Sequence, residues 1–166
     1  MKKNFLFLLA AVALLPLLGA CGAGETAKPK PPALVVVAGE ESHQALLGTY
    51  TWRRLHLGGM EEVCADSPHP LDCQEDLPLL EARQAAVRLQ FAQAPDGPLS
   101  ARCWSDRQWG NPLADSQTVT VTGDTLSLRP GGWIYEVTAR WGVGWGPGGQ
   151  AHYAFYAMGP SLPDPT

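Results

Sequence analysis

Two segments near the C-terminus, residues 133–141 and 150–158, alternate apolar with polar side chains. This pattern limits the fold more than any other feature of the chain. Trp133, Tyr135, Val137, Ala139 and Trp141 fall on one face of the first, and Ala151, Tyr153, Phe155 and Ala157 on one face of the second. A period of two is the period of a strand; on a helix the same residues would be scattered around the axis. The glycine-rich stretch between them reads as a hairpin tip, so the two apolar faces are expected to meet one core.

Shorter runs repeat the pattern. Residues 119–122 and 125–128 alternate on either side of Gly123-Asp124, a two-residue hairpin signal, with glycine first as a type II′ turn requires. The implied register sets Val121 opposite Leu126 and Val119 opposite Leu128. Residues 47–57 alternate and turn at Gly58-Gly59 into a run ending at Val63, and residues 99–104 form a further short strand. Residues 87–91 alternate cleanly; helix formers are common between residues 76 and 94, but strand is the reading adopted. The 18 glycines and 15 prolines in 166 residues argue against a helical bundle and punctuate the strands. The expected fold is all-β, an antiparallel sandwich of about seven to eight short strands.

The N-terminus reads as an address. Lys2 and Lys3 precede an apolar run over residues 5–18, too short and too interrupted by Pro16 for a permanent membrane span. It ends in Leu18-Gly19-Ala20-Cys21, which resembles a bacterial lipobox. That resemblance implies cleavage before Cys21 and diacylation of its thiol, placing the protein on the extracytoplasmic face of the cell membrane. Residues 1–20 are then the lipoprotein signal peptide, 21–45 the lipidated N-terminus and flexible tether, 46–158 the sandwich domain and 159–166 a disordered tail. The tether is marked by Pro29, Pro31 and Pro32; the apolar run 34–37 could be an edge strand or part of the tether. Removing Lys2 and Lys3 leaves ten basic against 16 acidic residues, a balance that argues against a nucleic-acid partner.

Leu128-Arg-Pro-Gly-Gly-Trp-Ile-Tyr135 resembles the corner of immunoglobulin-like and fibronectin type III-like domains. In those domains a tyrosine opening a long strand bonds back to the backbone, a role that the resemblance assigns to Tyr135. The segments 48–52 (Gly-Thr-Tyr-Thr-Trp) and 67–71 (Ser-Pro-His-Pro-Leu), together with the aromatic final hairpin, resemble small lipoproteins of Gram-positive bacteria. That likeness bears on architecture and is nearly silent on activity.

Several side chains are candidates for chemistry. With Cys21 assigned to lipid, Cys64, Cys73 and Cys103 remain. A Cys64–Cys73 disulfide would close a short loop in an oxidising compartment, leaving Cys103 a buried thiol; a bond from Cys103 to either one is the alternative. Seven acidic residues and no lysine or arginine lie between Glu61 and Glu81, and Asp66, His69 and Asp72 could surround a divalent cation. The simpler reading is a solvated acidic loop with His69 held between two prolines. Ser67 beside His69 and Asp66 lacks the spacing of a relay. Residues 144–149 match Gly-x-Gly-x-x-Gly, but no helix follows and Pro147 removes a donor, so a dinucleotide site is rejected in favour of a hairpin tip on which Trp145 could meet a ligand. Zinc spacings, phosphate loops and nucleophile elbows are absent from the sequence. The expectation is therefore a lipid-anchored, non-enzymatic binding, sensor or accessory module of the cell envelope, needing no cofactor. Its partners would be the membrane, through Cys21, and a protein or cell-envelope ligand. The alternative is a small-ligand or metal-binding lipoprotein that uses the Asp66/His69/Asp72 loop or Trp145.

Overall fold

A computed structural model describes residues 29–142 and 147–161; Cys21 and Trp145 lie outside them. The chain is an all-β sandwich of two sheets, and among the described residues no helix is long and apolar enough to cross a membrane. One sheet holds β1 (Leu34–Ala38), β2 (Glu41–Gln44), β6 (Ala86–Phe91), β9 (Val121–Thr122) and β10 (Thr125–Ser127), in the order β2-β1-β6-β10-β9. The other holds β3 (Leu46–His56), β4 (Gly59–Ala65), β7 (Ser100–Ser105), β8 (Gln117–Val119), β11 (Gly131–Trp141) and β12 (Gly148–Gly159), in the order β4-β3-β12-β11-β7-β8. A short β5 (Leu79–Glu81) runs parallel to the end of β12; every other pairing is antiparallel.

The long final hairpin is the spine of the larger sheet. Its register runs from Gly131 opposite Gly159 to Trp141 opposite Gly149, which aligns Tyr135 with Phe155, Val137 with Tyr153 and Ala139 with Ala151. These six side chains enter the core between the sheets, as the alternation predicts, and there meet Leu34, Val36, Val87, Leu89 and Leu126. Tyr135 and Phe155 stack with centroids 5.2 Å apart, while Trp141 takes Trp52 and Phe91 edge to face at 5.4 and 5.5 Å. The Arg129 N–H donates to the Tyr135 hydroxyl at 2.7 Å, the bond back to the corner that the resemblance implies for this tyrosine. Burial pushes the Tyr135 phenol up to about 12.

The described residues form twelve strands, more than the seven to eight expected, and the additions have physical reasons. Residues 34–44, expected within the tether, form β1 and β2. Far from being an edge, β1 is interior, paired with β2 on one side and β6 on the other, because Leu34 and Val36 belong to the core. Pro29 and Pro31 are also buried, so the packed part of the chain begins well before residue 45. The hairpin at Gly123 forms as expected, with Val121 opposite Leu126 and Gly123 at φ 61°. Asp124 has no positive φ, which makes the turn type II′. Its register stops there: Val119 pairs with Ala101 in the other sheet, because the chain crosses between sheets at Thr120. At the C-terminus Gly159 still pairs with Gly131, so β12 extends past residue 158.

Candidate functional site

Strand alternation puts half of β7, β11 and β12 on the outer face of the larger sheet, away from the core. Part of that face carries a second apolar cluster. Trp104, Ile134 and Ala154 are covered by Leu71, Cys73 and Leu77 from the loop after β4. The loop is tied down by the Gly110 N–H donating to the Leu71 carbonyl at 2.8 Å, and the Trp104 indole donates to the Ala114 carbonyl at 3.1 Å.

Beside this cover the face is polar and open. A cleft of about 340 Å³ is walled by Leu46, Pro68, Pro70 and Ala154, with Arg102, Glu136 and His152 also lining it. Glu136 is the one charged residue buried among the described residues, at 7% exposure. Its Oε2 accepts from Arg102 Nε at 2.5 Å and lies 3.7 Å from His152 Nδ1. Burial pushes the Glu136 carboxyl up, and His152 and Arg102 beside it more than offset that, holding it below the usual carboxylate range. The carboxylate is therefore ionised at neutral pH.

The tautomer of His152 follows from its neighbours. Arg140 Nε donates to Gln150 Oε1 at 2.7 Å, which orients the amide so that Gln150 Nε2 donates to His152 Nε2 at 3.0 Å. The neutral imidazole then carries its proton on Nδ1, which faces Thr138 Oγ1 at 3.1 Å and Glu136 beyond it. Arg140, Gln150, His152, Thr138, Glu136 and Arg102 thus form one polar network across three adjacent strands. On β3, two residues, Gly48 and Thr49, separate Leu47 from Tyr50 where on β12 only His152 separates Tyr153 from Ala151, so the bulge at Gly48-Thr49 sits opposite His152. A Cβ at Gly48 would come 3.3 Å from the His152 carbonyl, so β3 approaches β12 closely at this bulge.

The residues singled out from sequence have mixed fates. His69 lines the cleft, but its Nδ1 accepts the Leu71 N–H at 3.2 Å as the cap of a short 3-10 turn (Pro70–Asp72), and its ring packs on Trp104 at 4.9 Å. Asp66 and Asp72 are exposed and do not line the cleft, and no group of three or more metal-ligating side chains comes together among the described residues. Ser67 reaches the rim, where its N–H donates to Thr49 Oγ1 at 3.2 Å. The Cys64–Cys73 bond is absent and both are free thiols. Cys64 is exposed on β4 opposite Thr51, while Cys73 is buried in the outer cluster with its thiol donating to the His69 carbonyl at 3.4 Å. Cys103 is a buried thiol in the inner core, separated from Cys73 because the two lie on opposite faces of the larger sheet. Burial pushes both the Cys73 and Cys103 thiols up.

Sequence reasoning missed Arg102, Glu136 and His152. Each stands between two core residues of its strand, a position that alternation assigns to the outer face; only strand order makes them neighbours. No family model, curated protein or solved structure matches the chain.

Proposed function

We propose that this chain is a lipid-anchored, non-enzymatic binding module on the extracytoplasmic face of a bacterial membrane, and that its ligand enters the cleft over Glu136. The observation that carries the binding role is the buried, ionised Glu136 at the floor of an open cleft. A carboxylate held there by Arg102 and His152 offers fixed donors and acceptors to a small polar ligand or to a polar side chain of a partner, while Leu46, Pro68 and Pro70 supply apolar contact. The envelope location rests on the lipobox-like Leu18-Gly19-Ala20-Cys21 and the export signal before it. Small-ligand binding is thereby assigned to the cleft rather than to a cation among Asp66, His69 and Asp72.

Two measurements test the two halves. Mass spectrometry of the membrane-fraction protein is expected to find a diacylglyceryl group on Cys21, and an unmodified chain cleaved elsewhere would refute the anchor. For the cleft, a photo-crosslinking residue at Pro68 is expected to capture a ligand in intact cells. Capture should fall when Ser67→Trp fills the mouth and when Glu136→Gln removes the charge. Equal capture by all three proteins would sink the cleft as the binding site.

A further inference from the structure

The hairpin of β3 and β4 continues three residues past its pairing with the described part of β12. Gly148, the first residue of β12, pairs with Arg53, and Arg54, Leu55 and His56 continue with Glu61, Met60 and Gly59 as their ladder partners among the described residues. Three residues at strand rise carry the tip about 10 Å past Arg53, the partner of Gly148. Leu55 and Met60 face each other across the hairpin at 68% and 44% exposure, and Leu57 at the turn is fully exposed. Three of the six large exposed hydrophobic residues among the described ones thus share one tip. Behind them the charges are matched: Arg54 Nε meets Glu61 Oε2 at 2.8 Å, and Arg53 Nε lies 3.9 Å from Glu62 Oε2. The tip is apolar and its base close to neutral, although the surrounding sequence is acidic.

The chain enters the domain at this same end. Leu34 pairs with Phe91, the Ala92 N–H donates to the Ala33 carbonyl, and the Tyr153 hydroxyl donates to the Pro32 carbonyl at 2.6 Å. The strand beside this entry leads on to Gln93, whose carbonyl accepts the Trp141 indole N–H, and to Asp96, whose carboxylate accepts the Gly142 N–H. Trp141 and Gly142 close β11 at the level of Gly149, Trp52 and Arg53, the point from which the β3–β4 tip projects. Traced backward from Leu34, the chain therefore heads toward the end that carries Leu55, Leu57 and Met60. Eight residue steps separate Cys21 from Pro29, which is already packed on the domain, so a lipid on Cys21 lies within about 28 Å of the entry point.

The geometry points to the Leu55/Leu57/Met60 tip as a lipid-contacting foot, seated in the outer surface of the membrane that holds the Cys21 anchor. This inference rests on the anchor proposed above. A short tether that enters beside an exposed apolar tip holds that tip against the bilayer, where its three side chains leave water and its paired charges meet the headgroups. The cleft over Glu136, lined from the other half of β3 and by the loop after β4, stays clear of the contact.

The test uses the full-length lipidated chain in vesicles of phosphatidylglycerol and phosphatidylethanolamine that include a nitroxide-chain phospholipid. In a Cys64→Ser background, an environment-sensitive fluorophore is attached through Leu57→Cys or, as a control, through Leu113→Cys in an exposed loop. Co-flotation of the protein with vesicles, abolished by Cys21→Ala, reports the anchor independently. With flotation intact, the label at 57 is expected to shift to the blue and to be quenched by the nitroxide lipid, with the label at 113 in water. Flotation with both labels equally open to aqueous iodide would overturn the foot and leave the anchor standing, whereas a wild-type chain that fails to float refutes the anchor itself. A label at 57 shielded from iodide but untouched by the nitroxide, in a protein that sediments as a dimer, would assign the tip to a second copy and also overturn the proposal.

Discussion

The two faces of the larger sheet are made by the same three strands and differ in almost everything else. On β11, Tyr135, Val137 and Ala139 point into a fully sealed core, whereas Ile134, Glu136 and Thr138 point outward under a partial cover. The inner face is closed by a second sheet and tolerates only apolar groups. The outer face is covered by the loop after β4 together with Trp109 and Ala114, a cover that extends over Trp104 and then stops, leaving Glu136 deep enough to be desolvated and open enough to be approached. Arg102 joins the two halves of that outer face, bonding Glu136 through Nε while its guanidinium lies 4.8 Å from the centre of the Trp104 ring.

If this contrast is correct, truncations on the inner face cost most. Phe155→Ala, which removes the ring stacked on Tyr135, is expected to lower unfolding free energy by about 3–5 kcal/mol in urea titrations. Tyr135→Phe keeps that packing and orphans the Arg129 N–H, so it should cost about 1–3 kcal/mol. A loss near zero would mean the corner bond is incidental. On the outer face, Arg102→Ala is expected to cost about 1–2 kcal/mol, at the low end for a charged bond because Arg102 is about half exposed.

The same face should respond to acid. Because folding lowers the Glu136 pKa, its contribution is present above the unfolded value near 4.5 and is lost as pH falls through the folded one. The stability gap between wild type and Glu136→Gln should therefore be widest at neutral pH and close on acidification; a gap that grows toward pH 3 would contradict the assignment. The smallest effect in free energy is the clearest in rate. A thiol reagent should modify Cys64 at once in the native domain, and Cys73 and Cys103 only as it unfolds, with two fast thiols indicating that the outer cover opens readily.

Periodicity sufficed for the inner face. Tyr135, Val137, Tyr153 and Phe155 declare themselves by spacing alone, and glycine chemistry located the turn at Gly123. The outer site was not legible because its members are 34 residues apart, as Arg102 and Glu136 are, or on strands whose order the sequence does not encode locally. His69 drew attention for its acidic neighbours, yet it lines the cleft as a cap and a packing ring, while Asp66 and Asp72 turn to solvent. The apolar run 34–37 allowed a strand, but β2 and the interior place of β1 were not legible, because the partners of that run, Phe91 and Leu89, lie more than fifty residues later.

The interior position of β1 bears on how the domain carries load. A pull on the chain ahead of residue 33 acts along the axis of a strand bonded on both sides, to β2 and to β6. The hydrogen bonds flanking β1 are then stressed together in shear, instead of opening one after another as they would along a peeled edge. Force applied along that axis would load both ladders at once, whereas force that lifts β2 from the edge would load one.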